Sequence, residues 1–313
     1  MIHITEDQVR EALPMTKAVE LVEECFRRLA SEAAVNHPRR RVALKNTALL
    51  HYMAAGDNQD GLLGAKLYVT NPKVGASFLV VLFDAERASL LATIEANALG
   101  QIRTGAASGV ATRHLARADA AALGVIGSGF QAETQLEAVA AVRPLRSVRV
   151  YSRSIEKRTA FADRMSRRLK LSVEAVDSAR QAVEGSDILV TVTSSRQPVF
   201  EGAWLAEGCH VNAAGSNHAK RREIDAATVE RCAVISVDSL EQAKMEAGDL
   251  IAAVEDGRLD WGRVAELSEI VTGRAAGRQG PGDITLFESQ GLAAEDLAVA
   301  HYVYQQVTGS NGK

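Results

Sequence analysis

The stretch G-V-I-G-S-G-F-Q-A, residues 124–132, sets Gly127, Gly129 and Ala132 in a G-x-G-x-x-A spacing, with Phe130 and Gln131 inside it. A small first residue permits a tight strand-to-helix turn. The second lets backbone approach a pyrophosphate, and the third allows close packing of helix on strand. A helix opening here offers unpaired N–H groups and a positive dipole end to phosphates. A glycine triplet alone is weak evidence, but here an apolar run precedes it and a helical pattern follows, which is the context this chemistry requires. These five residues are therefore read as a cofactor-binding loop.

The next apolar strand ends in V-R-V-Y-S-R-S, and Ser152 stands 20 residues after Ala132. An acidic residue there would hold the ribose 2′-hydroxyl of NAD; an arginine accommodates the 2′-phosphate of NADP. The sequence supplies Ser152 and Arg153, with Lys157 and Arg158 nearby and no carboxylate. That favours NADP(H) with NAD(H) as the alternative, unless these are ordinary surface charges at a helix start. A second stretch, A-A-G-S-N-H-A-K from Ala213 to Lys220, follows a short apolar run and breaks into small polar residues. It has the character of an active-site rim. Asn217 is either a neutral substrate seat or a turn residue, and His218 either an acid–base group or a surface turn histidine. His51, His114, His210 and His301 have no metal-ligand spacing with one another or with Cys25, Cys209 and Cys232, so no metal site is expected.

Parts of this kind need a scaffold. The chain opens on helix signals: Thr5 and Gln8 have capping-box spacing, and Thr16 precedes a helical pattern through Leu29. From residue 48 to 96 four short strand-like runs follow, separated by Gly, Asn, Pro and Asp, which suggests a mainly antiparallel sheet with helices beside it. An Ala-rich helix leaves that sheet. From Ala121 strands and helices alternate, and the strands are continuous apolar runs, the mark of a parallel doubly wound sheet. Residues 241–257 read as one helical segment, and the chain closes on an amphipathic helix.

With 313 residues the chain exceeds one ordinary domain of roughly 100–200 residues, so two are expected. A net charge of −3 with interspersed signs excludes the basic excess of a nucleic-acid binder and a polybasic membrane patch. No apolar run approaches the roughly 18–20 residues of a bilayer span. Three scattered cysteines fit a reducing compartment, and the acidic start is unlike a secretory signal, so a cytoplasmic location is expected.

Five segments in order, G-A-K-L-Y-V-T-N-P, L-G-Q-I-R-T-G-A-A-S-G-V-A-T-R-H-L-A, the glycine loop, N-A-A-G-S-N followed by R-E-I-D, and I-T-L-F-E-S-Q-G-L-A-A-E-D-L-A-V-A, resemble the ornithine cyclodeaminase/mu-crystallin family across nearly the whole chain. The resemblance implies an α/β protein: a Rossmann dinucleotide-binding domain at 116–287, and a second α/β domain at 1–115 and 288–313 for substrate binding and homodimerisation. It implies a small amino- or imino-acid substrate gripped by Arg40, Lys66 and Arg103, with Arg39 and Arg41 leaving open which arginine of the run turns inward. Arginine can hold a carboxylate through two parallel charge-assisted hydrogen bonds, and a partly buried lysine can protonate a C=N group. The same resemblance brings Thr104, Ser108, Thr193, Ser194 and Ser289 toward the cofactor, while Glu288 stands where the family often has lysine.

Known activities of the family include cyclodeamination of ornithine or lysine, cyclic ketimine reduction and alanine dehydrogenation, and mu-crystallin also binds a hormone. Asn217 falls six residues before Glu223, where ornithine cyclodeaminases carry a catalytic aspartate. Asparagine keeps the shape but neither exchanges a proton nor neutralises an ammonium. The expected function is therefore NAD(P)H-dependent reduction of a small α-imino acid, such as Δ1-pyrroline-2-carboxylate or Δ1-piperideine-2-carboxylate, with Lys66, Arg103 and Asn217 at the chemistry. Cyclodeamination, an alanine-dehydrogenase-like activity and a non-catalytic NADPH-dependent binder stand as alternatives.

Overall fold

The structure, a computed structural model, describes residues 1–45 and 47–309. Its contacts divide the chain into Met1–Arg103 with Gly291–Lys313, and Thr104–Gln290. The first division falls inside the helix Asn97–Leu115 and not at 115, the second at Gln290 and not at 287. The local reason is that Arg103 bonds to Glu295 and Asp296, whereas a Cβ on Gly105 would run into the backbone of Thr134.

The first unit is built on six strands: β1 (Ile2–Ile4), β2 (Ala34–Ala43), β3 (Leu49–Asp57), β4 (Leu62–Asn71), β5 (Gly75–Asp84) and β6 (Ser89–Glu95). Their order is β1-β6-β5-β4-β3-β2, antiparallel except for the edge pair β1·β6. The expected antiparallel sheet is thus present, with β1 and β2 added. β1 was missed because three residues carry no readable period. The capping box of Thr5 and Gln8 forms as its spacing implies; the next helix, Met15–Ala30, starts one residue before Thr16 with Pro14 at its N-cap. The C-terminal helix, Ala293–Thr308, packs on β2 to β5 and on Met15–Ala30.

Strand alternation sorts the sheet's faces. Met53, Lys66, Val80, Ile94 and Ile4 pair in one row across five strands and are all buried. β2 joins this row through a bulge: between the pairs His37–Ala54 and Arg40–Tyr52, Pro38 and Arg39 together face Met53. On the opposite face Val42, Leu50, Tyr52, Leu63, Val69 and Phe83 are exposed.

The second unit holds β7 (Ala122–Ile126), β8 (Ser147–Tyr151), β9 (Val173–Ala175), β10 (Ile188–Thr191), β11 (His210–Ala213), β12 (Cys232–Val237), β13 (Val264–Glu266) and β14 (Ile284–Glu288). They run parallel in the order β13-β12-β14-β11-β10-β7-β8-β9, with an apolar cluster on each face. This is the doubly wound sheet read from the strand–helix alternation. Its order reverses between β7 and β10, which is where such sheets bind ligands. Residues 241–257 are not one helix but two, Leu240–Glu246 and Gly248–Glu255. The break occurs where Gly248 lies so close to the Arg221 carbonyl that no Cβ fits.

Candidate active site

At the switch point β7 runs into the glycine turn. Gly127 has φ +120°, a conformation L side chains rarely adopt, and a Cβ there would strike the Val192 carbonyl. Gly129 is the N-cap of the helix Phe130–Val142 at φ −86°, and a Cβ there would meet nothing within 4 Å. The first glycine is thus demanded by the protein and the second leaves space above a helix N-terminus, as a pyrophosphate cradle needs. Ala132 is fully buried, Phe130 half exposed, and the Gln131 Oε1 is a buried acceptor with no hydrogen-bond partner. The donor set fits a dinucleotide.

At the end of β8 the Ser152 hydroxyl meets that of Ser128 in the glycine turn at 2.8 Å, and Arg153 is exposed. Arg158 is committed elsewhere: it donates to the Ser152 carbonyl at 2.9 Å and to Asp177 at 2.7 Å. It therefore drops out of the basic set anticipated for a 2′-phosphate, leaving Arg153 and Lys157, both exposed.

The strand ends beside the glycine turn are joined by a buried acid. Glu223 accepts from the Thr193 N–H (2.5 Å), the Thr191 hydroxyl (3.1 Å) and the Gly215 N–H (2.7 Å). Asp249 accepts the backbone N–H of Glu223 and Ile224, each at 2.8 Å. Burial raises Glu223 to about 7 against these bonds, with Asp249 adding to the rise. The rim 213–220 thus hangs on Glu223 through Gly215, where a Cβ would collide with the carboxylate. Asn217 and His218 are exposed beyond this anchor, and the Ser216 hydroxyl is buried without a partner. Ser194 is exposed next to Thr193. Ser289 is buried, its N–H on the Ala213 carbonyl at 3.0 Å and its hydroxyl 3.5 Å from Asp238. Glu288 accepts from Gln290 at 3.3 Å, and burial followed by the charges of Asp249, Glu223 and Asp238 pushes its carboxyl well up.

The first unit gathers the cations. Lys66 on β4 is 4% exposed and its Nζ donates to the Asp296 Oδ1 at 2.8 Å. The same oxygen accepts the Arg103 Nε at 2.9 Å, while the Arg103 Nη1 donates to Glu295 at 2.9 Å. Glycines make the room: a Cβ on Gly100 would stand 2.7 Å from the Lys66 Nζ, and one on Gly291, at φ +76°, would strike the Arg103 guanidinium. Burial, then the Arg103 charge, lowers Lys66 to about 8 although Asp296 opposes them. A lysine so poised holds its proton at neutral pH and can release it.

Arg39, not Arg40, is the inward arginine of its run. It is 4% exposed and donates to the Gly291 carbonyl at 3.2 Å, whereas Arg40 is exposed. The bulge accounts for the correction, because one extra residue in β2 turns Arg39 to the Lys66 face and Arg40 to the other. Lys66, Arg103 and Arg39 are therefore brought together. Thr104, whose carbonyl accepts from Gln135, and the fully buried Ser108 lie in the second unit. The residues the sequence reading missed are Glu295, Asp296 and Glu223. Each sat inside a quoted segment, and two consecutive acids in an otherwise small and apolar helix start were the available signal.

His51 stacks on Tyr68 at 4.2 Å and is lowered to about 4 by burial, then Arg41 and Arg39; His210 is lowered to about 3 by burial and lies between Thr285 and Asn212. Both are packing residues. Among the described residues no group of three or more His, Cys, Asp or Glu is arranged to hold a metal ion, and no helix is long and apolar enough to cross a membrane.

A parallel doubly wound sheet with a glycine turn at its reversal point defines the dinucleotide-binding class of α/β fold. More narrowly, the chain belongs to the ornithine cyclodeaminase/mu-crystallin family, matched over residues 2–311. It is 34% identical over 314 residues to a Δ1-pyrroline-2-carboxylate reductase of Bacillus cereus, covering 98% of this chain and 96% of that one. The Δ1-pyrroline-2-carboxylate reductase of Thermococcus litoralis, solved with NADH and L-proline, superimposes with a TM-score of 0.95 at 35% identity, covering 99% and 98% of the two chains. An archaeal alanine dehydrogenase dimer with bound NAD gives 0.92 at 32% identity, covering 99% and 97%.

Proposed function

We propose that the chain is an NAD(P)H-dependent reductase of small cyclic α-imino acids, Δ1-pyrroline-2-carboxylate or Δ1-piperideine-2-carboxylate, forming the L-amino acid. The observation that carries this reading is Lys66: buried, charged at neutral pH and held by Asp296 between two guanidinium groups. Arg39, Lys66 and Arg103 set three positive charges near the carboxylates of Glu295 and Asp296, a balance that suits a carboxylate substrate. Arg103 and Arg39 would hold the carboxylate, and Lys66 would protonate the imine nitrogen. A bound nicotinamide supplies the hydride. Protonation counts most, because an iminium accepts hydride far more readily than a neutral imine. Gly127, Gly129, Phe130, Gln131 and Ala132 would hold the dinucleotide, with Thr193, Ser194 and Ser289 at neighbouring strand ends.

Support also comes from relatives named for this reaction at 34% identity over full length. An alanine-dehydrogenase-like activity is the second reading, favoured by the likeness to the NAD-bound dimer. Cyclodeamination is disfavoured by Asn217, since an ornithine ammonium would lack a counter-charge there. The deciding experiment follows NADPH and NADH oxidation with both cyclic imines and with pyruvate plus ammonia. Turnover of the imines supports the proposal. Silence across the panel despite tight NADPH binding would favour a binding protein.

Two finer points go with this reading. Ser152 and Arg153 without a carboxylate favour NADP(H), although the relatives cited above hold NADH and NAD. The exposed apolar face of Leu50, Tyr52, Leu63, Val69 and Phe83 suits a second copy of the chain, in keeping with a relative described as a dimer.

A further inference from the structure

Asp296 differs from the adjacent buried acid, Glu295, in how its bonds are used. Glu295, its neighbour, accepts the Leu292 N–H at 3.3 Å as well as Arg103, so it also serves the start of its helix. The Asp296 carboxylate takes no backbone donor. Its Oδ1 receives Lys66 at 2.8 Å and Arg103 at 2.9 Å, and its Oδ2 is buried with no hydrogen-bond partner. A buried carboxylate oxygen without a partner is costly, and a catalytic role is one of the reasons such a group is kept. Here all its bonding goes to two cations, and for Lys66 it is the acceptor that fixes where Nζ points.

We propose that Asp296 is the positioning residue for the reaction's proton: its Oδ1 orients the Lys66 ammonium and keeps it charged beside Arg39 and Arg103. The inference rests on Lys66 as the proton donor to the imine. The charged groups that act most on Lys66 are Arg103 from Asn97–Leu115, Asp296 from the C-terminal helix and Arg39 from β2. Two of the three nearest charges are repulsive. Without Asp296 the lysine would release its proton at lower pH and lose the bond that aims it. The anion is well placed to persist: although burial opposes it, Arg103 and then Lys66 lower its carboxyl, and it lies in the first turn of a helix, where the dipole favours negative charge.

The test is a pH titration of the Lys66 side chain in the full-length protein by 13Cε NMR, assigned with Lys66→Arg, in wild type, Asp296→Asn and Asp296→Glu. Asp296→Asn keeps the shape and removes the charge. Its Lys66 midpoint is expected to fall by one pH unit or more, with the high-pH decline of kcat moving by the same amount and the KM for NAD(P)H unchanged. Asp296→Glu keeps the charge on a longer stem, and its midpoint is expected to stay within half a unit of wild type. An unmoved midpoint in folded Asp296→Asn, or a shift of a unit or more in folded Asp296→Glu, overturns the proposal. The titration needs no turnover, so it decides Asp296 even if no imine is reduced by the wild type. Absence of imine turnover in the wild type would instead count against the functional reading.

Discussion

Lys66 and Arg103 meet at one atom, the Oδ1 of Asp296, which accepts from the first at 2.8 Å and from the second at 2.9 Å. Neither cation can shift without disturbing the acceptor of the other. In the proposed reaction, the proton donor and the carboxylate clamp would thereby be held in a fixed relation.

Lys66→Met is expected to lower kcat for imine reduction by about 100-fold or more, the usual worth of a positioned acid. Because Lys66 acts protonated and is lowered to about 8, reduction should be flat below that value and decline as pH rises through it. The reverse oxidation, which needs the neutral amine as base, should rise over the same range. Steady-state rates in both directions from pH 6 to 10 check the sign.

Gly291→Ala places a Cβ at φ +76° and against the Arg103 guanidinium. The backbone alone costs about 1–2 kcal/mol. Beyond that loss of thermal stability, the KM for the imine is expected to rise at least several-fold while NAD(P)H binding stays unchanged, which separate titrations of the two ligands would show.

Asn217 lies exposed beyond the Glu223 anchor, on the rim carried by Gly215. Asn217→Asp is expected to add ammonia release from L-ornithine without net consumption of NAD(P)H. Wild-type behaviour of the variant with every substrate would return Asn217 to a turn role.

Arg153→Asp puts a carboxylate beside Ser152, where a ribose 2′-hydroxyl would be read. The ratio of kcat/KM for NADPH over NADH should fall by about 10-fold or more, since a charge-assisted bond to phosphate is lost and a repulsion gained. An unchanged ratio would place the 2′-position elsewhere.

Leu63→Glu introduces a charge into the exposed face of the antiparallel sheet, away from the Lys66 row. Light scattering is expected to show the wild type as a dimer and the variant shifted toward monomer at micromolar concentration.

Both sheets could be read in the sequence because their strands carry strong period-two or continuous apolar patterns. The glycine turn was legible because its glycines answer to local backbone needs. The inward arginine was not. A strand's facing is counted by alternation, and the bulge opposite Met53 resets that count within the run of three arginines, so Arg40 was chosen where Arg39 turns in. Asp296 and Glu295 were hidden for a different reason. Their partners, Lys66 and Arg103, are 230 and 192 residues away along the chain, and ion pairs at that separation leave no local spacing to read. Glu223 served in the sequence only to locate Asn217, and its three bonds to strand ends appear only once those strands lie side by side.

Gly127 and Gly129 sit two residues apart under unlike constraints. A Cβ at Gly127 would meet the protein's own carbonyl, while one at Gly129 would meet nothing within 4 Å at an ordinary φ. A Gly129→Asp chain, whose new residue caps a helix at least as well as glycine and sets a carboxylate against a pyrophosphate, should therefore keep its melting temperature and lose its dinucleotide. Such a chain would be a cofactor-blind twin of the native protein, against which any ligand signal arising outside the nucleotide cleft could be measured alone.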